Sequence, residues 1–397
     1  MRVNYAQAVY GEEEIAAVVE VLEHSTELLM AGPRVSAFEA AVAGRFGKEF
    51  GVMVNSGSSA NLVAIEGLGL EHGSEVVTPA LTFSTTVAPL IQSGLTPVFV
   101  DVEPDTYTVD VAHISERITS RTRALMIPNL IGNLPDWKAV RALADTYGLV
   151  VIEDSCDTIG STIAGMPTGA LTDVATTSFY ASHIITAAGF GGMMTTSNPD
   201  LAQRARLLRG WGRTSSTRAE SEGITDRFDV AVDGIDYDAK FMFEALGYNF
   251  LPSELSAAFG LVQLGRLDEY ARRRSTNFAK LRQAFSGYED WFILPRQGAE
   301  IETAWLAFPL IVRDSAPFTR RELQIGFETD GIQTRVVFTG NVLRQPAFSE
   351  LNDAGSGSFP NADRVMRGGV LLGCHQGMGD DEIAYIMDSF ARFASAY

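Results

Sequence analysis

The chain has 397 residues, enough for a large core and for two or three structural units. Its composition, 46% hydrophobic and 20% charged, is that of a globular enzyme, and no run of about 18 apolar residues reads as a membrane span. A net charge of −18 with no long basic run argues against nucleic acid as a partner.

The opening MRVNYAQAVYGEEE lacks an apolar leader core, so a cytoplasmic location is expected. Cys156 and Cys374 are the only cysteines. Two thiols cannot complete a four-cysteine zinc or iron–sulfur site within one chain, and no metal is expected. Four of the 31 basic residues are lysines (Lys48, Lys138, Lys240 and Lys280), so any catalytic lysine must be one of these.

From about residue 50 to 200, seven apolar runs alternate with helical stretches such as NLVAIEGLGL and WKAVRALADTYG. The runs are GVMVNS, EVVTPA, PVFVDV, RALMIPN, LVVIED, TTSFYA and GGMMTTS. The pattern predicts an α/β fold with a largely parallel central sheet, its ligand outside the carboxyl ends of the strands. The polar stretch from about 214 to 236 and the segment DAGSGSFPN are predicted loops. SELSAAFGLVQLGRLDEYARRRSTNFAKLRQAFSGY reads as a helical connector. The final third mixes strand signals, AWLAFPLIVRD and IQTRVVF, with the helical DDEIAYIMDSFARFAS. The expected division is a large domain over 1–255, with an N-terminal arm, and the connector with a smaller C-terminal α+β domain over 256–397.

Three stretches carry chemistry. In VNSGSSANL a strand runs through a Gly-Ser turn into a helix, which offers backbone N–H groups and a positive dipole end to a phosphate. An ordinary turn with serine as N-cap is the plainer alternative. In LVVIEDSCDTIGS, Asp154 ends a buried-looking strand, where a carboxylate can pair with a protonated pyridine nitrogen or simply cap a loop. In TTSFYASHIITAAGFGG, Ser178 and His183 precede a glycine-rich run.

These motifs, in this order, resemble the sugar-aminotransferase (DegT/DnrJ/EryC1/StrS) family of fold-type-I vitamin-B6 enzymes. AGPRVSAFEAAVAGRFGKEFGVMVNSGSSAN, TPALTFSTT, IPNLIGN, LLRGWGR and LGYNFLPSELSAAFGLVQL extend the likeness over nearly the whole chain. In that family the third stretch carries the lysine that holds pyridoxal 5′-phosphate; here His183 stands in that place. A histidine has no primary amine, so the resemblance implies a cofactor held non-covalently as pyridoxamine 5′-phosphate. Neutral imidazole near pH 7 can then act as a base. IEDSCDTIGS and TRVVFTGNVLRQPAF are similar to the lysine-to-histidine subgroup, the GDP-4-keto-6-deoxymannose and CDP-4-keto-6-deoxyglucose 3-dehydratases. The implied reaction is loss of the C3 hydroxyl from a nucleotide-linked 4-keto-6-deoxyhexose, with His183 as catalytic base.

Carried over by position, Gly57 and Ser58 bind the cofactor phosphate with help from Ser178. Asp154 pairs with the ring nitrogen, Phe83 stacks on the ring, and Asp157 sits beside it. Asn249 reaches the phosphate of a neighbouring subunit's cofactor, which implies a homodimer with shared sites. The cluster-bearing version of the subgroup has a Cys-x-Cys after the WGR motif, whereas this chain has Thr214, Ser215, Ser216 and Thr217 there. The implied version is therefore cluster-free, with glutamate as amino donor. GFGG at 189–192 lacks the glutamate common between these glycines, and the loop reads as one residue longer. GCHQGM brings His375 toward the expected mouth of the site, with a substrate-binding role and a packing role both open. Two rival readings are a pyridoxal-phosphate aminotransferase using another lysine, Lys240 being nearest in sequence, and a non-catalytic relative that binds sugar nucleotides.

Overall fold

The computed structural model describes the chain apart from residues 26–27, 218–222 and 354–356. Two helices open it, α1 (Glu12–His24) and α2 (Pro33–Arg45). The alternating part follows as β1 (Phe50–Val54), α3 (Gly57–Leu68), β2 (Glu75–Pro79), α4 (Ser84–Gln92), β3 (Thr96–Val100), β4 (Thr122–Pro128), α5 (Trp137–Tyr147) and β5 (Val150–Asp154). Two short strands, β6 (Thr162–Ile163) and β7 (Met166–Pro167), lead to β8 (Val174–Ser178), β9 (Gly192–Thr196) and α6 (Pro199–Arg209).

Each of the seven predicted runs supplies one strand of a seven-stranded sheet, in the order β1-β9-β8-β5-β4-β2-β3. Strands β3, β2, β4, β5 and β8 run parallel, and β9 lies antiparallel between β8 and β1. Both faces are covered, which is why the strands read as nearly continuous apolar runs. Val76, Met126 and Ile152 pack with α3 and α6 on one face, and Val77, Leu125 and Val151 pack with Trp137 of α5 on the other. Capping sets the helix starts: Asp136 accepts from the Ala139 N–H at 3.0 Å, and Gly148 closes α5 at φ 64°.

Beyond α6 come α7 (Ile224–Phe228) and the hairpin β10 (Val230–Val232) and β11 (Ile235–Tyr237). The expectation of a loop over 214–236 is thus corrected in part, and its residues 218–222 lie outside the described chain. Asp233 and Gly234, at φ 51° and 80°, make the two-residue turn that an Asp-Gly pair favours in a hairpin. The connector forms two helices, α8 (Glu254–Gly265) and α9 (Leu267–Phe285). Buried Glu254 accepts the backbone N–H groups of Gly32, Arg34 and Val35 at 2.8–2.9 Å, and so caps α2 from a distance.

The last part holds β12 (Phe292–Ile293), β13 (Ile301–Glu302), β14 (Phe308–Val312), α10 (Arg320–Thr329), α11 (Ser349–Asp353), α12 (Pro360–Gly368), β15 (Gly369–Leu372) and α13 (Asp380–Ala394). β12, β14 and β15 pair antiparallel around a core containing Phe285, Phe292, Phe308, Phe327 and Phe390. The strand expected at IQTRVVF does not form. Ile332 and Arg335 make only isolated bridges, to Val3 and Leu371. The loop expected at DAGSGSFPN includes 354–356, outside the described residues, and gives way to α12 at Pro360. Among the described residues no helix is long and apolar enough to cross a membrane.

Candidate active site

The carboxyl ends of β4, β5 and β8 and the N-terminus of α3 surround a cavity of about 290 Å³. Strand-to-helix turns in an open parallel sheet all point their polar ends to this edge. Gly57 and Ser58 form its wall at the first turn of α3. Ser56 is the N-cap, its hydroxyl accepting from the Ser59 N–H at 3.1 Å, so the capping serine and the phosphate-binding turn expected from sequence are adjacent residues. Ser178, at the end of β8, lies against Gly57. A Cβ on Gly57 would stand 2.7 Å from both Cys156 Sγ and Ser178 Cβ. Gly192 is equally constrained, because its Cβ would meet the Ser56 carbonyl oxygen at 2.2 Å. Gly57→Ala is therefore expected to cost about 1–3 kcal/mol of stability by overpacking. A lowered thermal midpoint together with weaker pyridoxamine-phosphate binding in a fluorescence titration checks this.

Asp154 ends β5 and is buried. Its Oδ2 accepts from Asn61 Nδ2 at 2.9 Å and Thr86 Oγ1 at 2.7 Å, and its Oδ1 accepts from the Cys156 N–H at 3.1 Å. Sequence reasoning missed Asn61 and Thr86. The available signal was that Asn61 lies one helical turn after Gly57, on the same face of α3. Asp157 also lines the cavity, with Oδ2 accepting the Ile131 N–H at 2.9 Å. Burial raises its carboxyl to about 7, and the Asp154 charge adds to that rise.

His183 faces the same space from the loop between β8 and β9. Its backbone N–H donates to the Tyr180 carbonyl at 3.0 Å, and its Nδ1 lies 3.4 Å from the Ser178 carbonyl. Burial pushes the imidazole down to about 4, so the ring is neutral near pH 7. Phe83, the N-cap of α4, is half exposed in the cavity wall and meets Phe338 edge-on at 5.9 Å between centroids. Phe190, between the glycines of GFGG, is 71% exposed and lines the rim.

Asn249 is not brought to this cavity. It is exposed and bridged to Gly210. His375 is buried away from the mouth, Nε2 lying 3.1 Å from the Asn4 carbonyl and Nδ1 accepting the Gly377 N–H at 3.2 Å, which is a packing role. None of the four lysines lines the cavity. Lys48 donates to the Thr172 carbonyl, Lys138 pairs with Glu300 and Lys280 pairs with Asp380, while Lys240 sits in the single turn Ala239–Phe241.

The model of the DegT/DnrJ/EryC1/StrS aminotransferase family matches residues 9–391. The chain belongs to this family. Within it, the chain is similar to the dTDP-4-dehydro-2,6-dideoxy-D-glucose 3-dehydratase of Saccharopolyspora spinosa, at 35% identity over 98% of this chain and 86% of that protein. Among solved structures it resembles a GDP-4-keto-6-deoxymannose-3-dehydratase in which a histidine is changed to asparagine and GDP-perosamine is bound. There the TM-score is 0.88 and the identity 26%, covering 98% of this chain and all of that one. A structure of the same enzyme with a trapped PLP–glutamate geminal diamine matches at a TM-score of 0.85 and 26% identity, with the same coverage. The cavity fits such a group. It has hydroxyls and a helix N-terminus at one end, a hydrogen-bonded carboxylate at the other, and an aromatic wall between them.

Proposed function

We propose that this chain is a vitamin-B6-dependent nucleotide-sugar 3-dehydratase that removes the C3 hydroxyl from a nucleotide-linked 4-keto-6-deoxyhexose. The observation that carries the reading is an imidazole, neutral near pH 7, in a cavity that no lysine lines. Bound there, pyridoxamine 5′-phosphate supplies an amine for the C4 ketone and a conjugated ring that takes up electrons.

The chain's own residues do the rest. The α3 N-terminus with Ser58 and Ser178 would hold the phosphate, and the missing Cβ of Gly57 leaves the turn room to close on Ser178. Asp154, fixed by three donors, would keep a proton on the ring nitrogen. Phe83 would lie against the ring face. His183 would accept a proton as the base and, once protonated, would return it to the departing C3 hydroxyl, which would then leave as water. Asp157, beside Asp154 and raised to about 7, is a second group able to hold a proton there.

We read the reaction as cluster-free, since two cysteines fall short of a four-thiolate site and hydroxyls stand after Arg213. The two electrons that replace the C3–O bond by C3–H then come from glutamate, which ends as 2-oxoglutarate and ammonia. The described surface exposes apolar side chains in the stretch that precedes Asn249 in the chain, among them Ile224, Ile235, Phe243 and Leu246, the last 98% exposed. That supports a homodimer in which Asn249 serves the partner's cavity, and light scattering that reports a monomer would remove it.

The deciding assay incubates the protein with pyridoxamine phosphate and a panel of nucleotide-linked 4-keto-6-deoxyhexoses, with and without glutamate. Mass spectrometry should report loss of one oxygen, with turnover sustained only when glutamate is present. An amine in place of the C4 carbonyl oxygen, together with a borohydride-trapped cofactor–lysine adduct, would make the protein an aminotransferase instead.

A further inference from the structure

The core stripe of α9 contains one residue whose charge does not belong there. Leu267, Tyr270, Arg274, Asn277, Phe278, Leu281 and Phe285 are its buried positions, and Arg274 is 0% exposed. A buried guanidinium is ordinarily paired with a carboxylate. Among the described residues this one donates only to neutral groups: Nη1 to the carbonyls of Trp305 at 3.1 Å and Leu306 at 3.0 Å, and Nε to Gln376 Oε1 at 2.7 Å. Among the described residues its Nη2 has no hydrogen-bond partner.

Two arms lead from this cation to the cavity. Along the first, Gln376, itself 1% exposed, donates from Nε2 to the Ile184 carbonyl at 3.1 Å, next to His183. Along the second, the Leu306 N–H donates to the Ile131 carbonyl at 2.8 Å, and the Ile131 N–H donates to Asp157 at 2.9 Å. Ile131 stands at φ 58°, a conformation that β-branched residues avoid unless their surroundings hold them there.

We infer that Arg274 is a positioning residue for the site, fixing the loop of His183 through Gln376 and the backbone that holds Asp157 through Leu306 and Ile131. The inference rests on the reading of the cavity given above. It is independent of which nucleotide the sugar carries. The groups facing His183 are Asp154 at the end of β5, Cys156 and Asp157 just after it, Tyr180 on its own loop, and Arg274 from α9. The Arg274 cation also disfavours a charged imidazole, which adds to burial in keeping His183 neutral.

Two substitutions separate the parts. Gln376→Met breaks the first arm and leaves the cation in place. Gln376→Glu sets a carboxylate against Arg274 and removes the donor to Ile184. In the loaded enzyme, Gln376→Met should lower kcat about 10–100-fold with KM for the ketosugar within about twofold, as expected when a reacting group drifts. In the cofactor-free protein, NMR of ring-labelled histidine should move the His183 titration in Gln376→Glu from about 4 toward the ordinary histidine value. A purely structural role would lower the melting temperature and leave that titration where it was. An unchanged kcat in Gln376→Met, or an unmoved His183 titration in Gln376→Glu, would overturn the inference. If Gln376→Met fails to fold, Gln376→Asn, one methylene shorter, carries the same measurement. Full turnover by His183→Asn would defeat the base assignment alone, since the imidazole titration in Gln376→Glu tests the link from Arg274 to His183 without any turnover.

Discussion

His183→Asn should lower kcat for dehydration by about 10²–10⁴-fold while pyridoxamine phosphate still binds. The size follows from what is removed. Asparagine is smaller than histidine, but its carboxamide overlays the Nδ1 side of the ring and can reach the Ser178 carbonyl that now lies 3.4 Å from Nδ1, so the loop need not collapse. What it lacks is a nitrogen able to accept a proton at neutral pH. The phosphate contacts proposed for Gly57, Ser58 and Ser178 would lie on α3 and β8, outside the substituted loop, so cofactor affinity should stay within a few-fold. Stopped-flow turnover and equilibrium cofactor titration on one preparation test both halves. A variant with wild-type kcat would mean that another base serves, and Asp157 would be the first to examine, because burial raises its carboxyl to about 7 in the same cavity.

How much of this was legible in the sequence depends on the kind of contact involved. The seven strands were readable because both faces of the sheet are buried, which leaves unbroken apolar runs at β2, β4 and β5. Seven of the eight expected site residues share one cavity, since strand-to-helix turns of a parallel sheet all open on one edge. Other features depend on partners distant in sequence. Asn61 and Thr86 hold Asp154 from two different helices, and only Asn61 had a local cue, its place one turn after Gly57. Arg274 sits in a run of three arginines that reads as a solvated face, and only the helical register of Leu267, Tyr270 and Leu281 sends the third inward. The stretch around Ile332 has the alternation of a strand, yet Val3 and Leu371 each meet it at a single residue, so no ladder extends. The hairpin at 230–237 had a local signal in its Asp-Gly pair, which the surrounding polar composition obscured.

Asp154→Asn is the second large effect, and it arises in a different way. The carboxylate is surrounded entirely by donors: Asn61 Nδ2, Thr86 Oγ1 and the Cys156 N–H. An asparagine can turn its oxygen toward Asn61 and Thr86, but its NH₂ then faces the Cys156 N–H, donor against donor. Leaving such buried groups unsatisfied costs about 1–3 kcal/mol, which should appear as a lower melting temperature. The catalytic loss should be larger than stability alone explains, because a neutral amide no longer favours a protonated ring nitrogen. Removing one preorganised electrostatic partner of this kind lowers kcat about 10²–10³-fold. Thr86→Val separates the two terms, since it deletes one donor and keeps the charge. It should share some of the loss in stability and little of the loss in rate. If Asp154→Asn instead tracks Thr86→Val in both melting temperature and kcat, the carboxylate is serving the fold of the β5 turn, and the electron-sink role assigned to it is wrong.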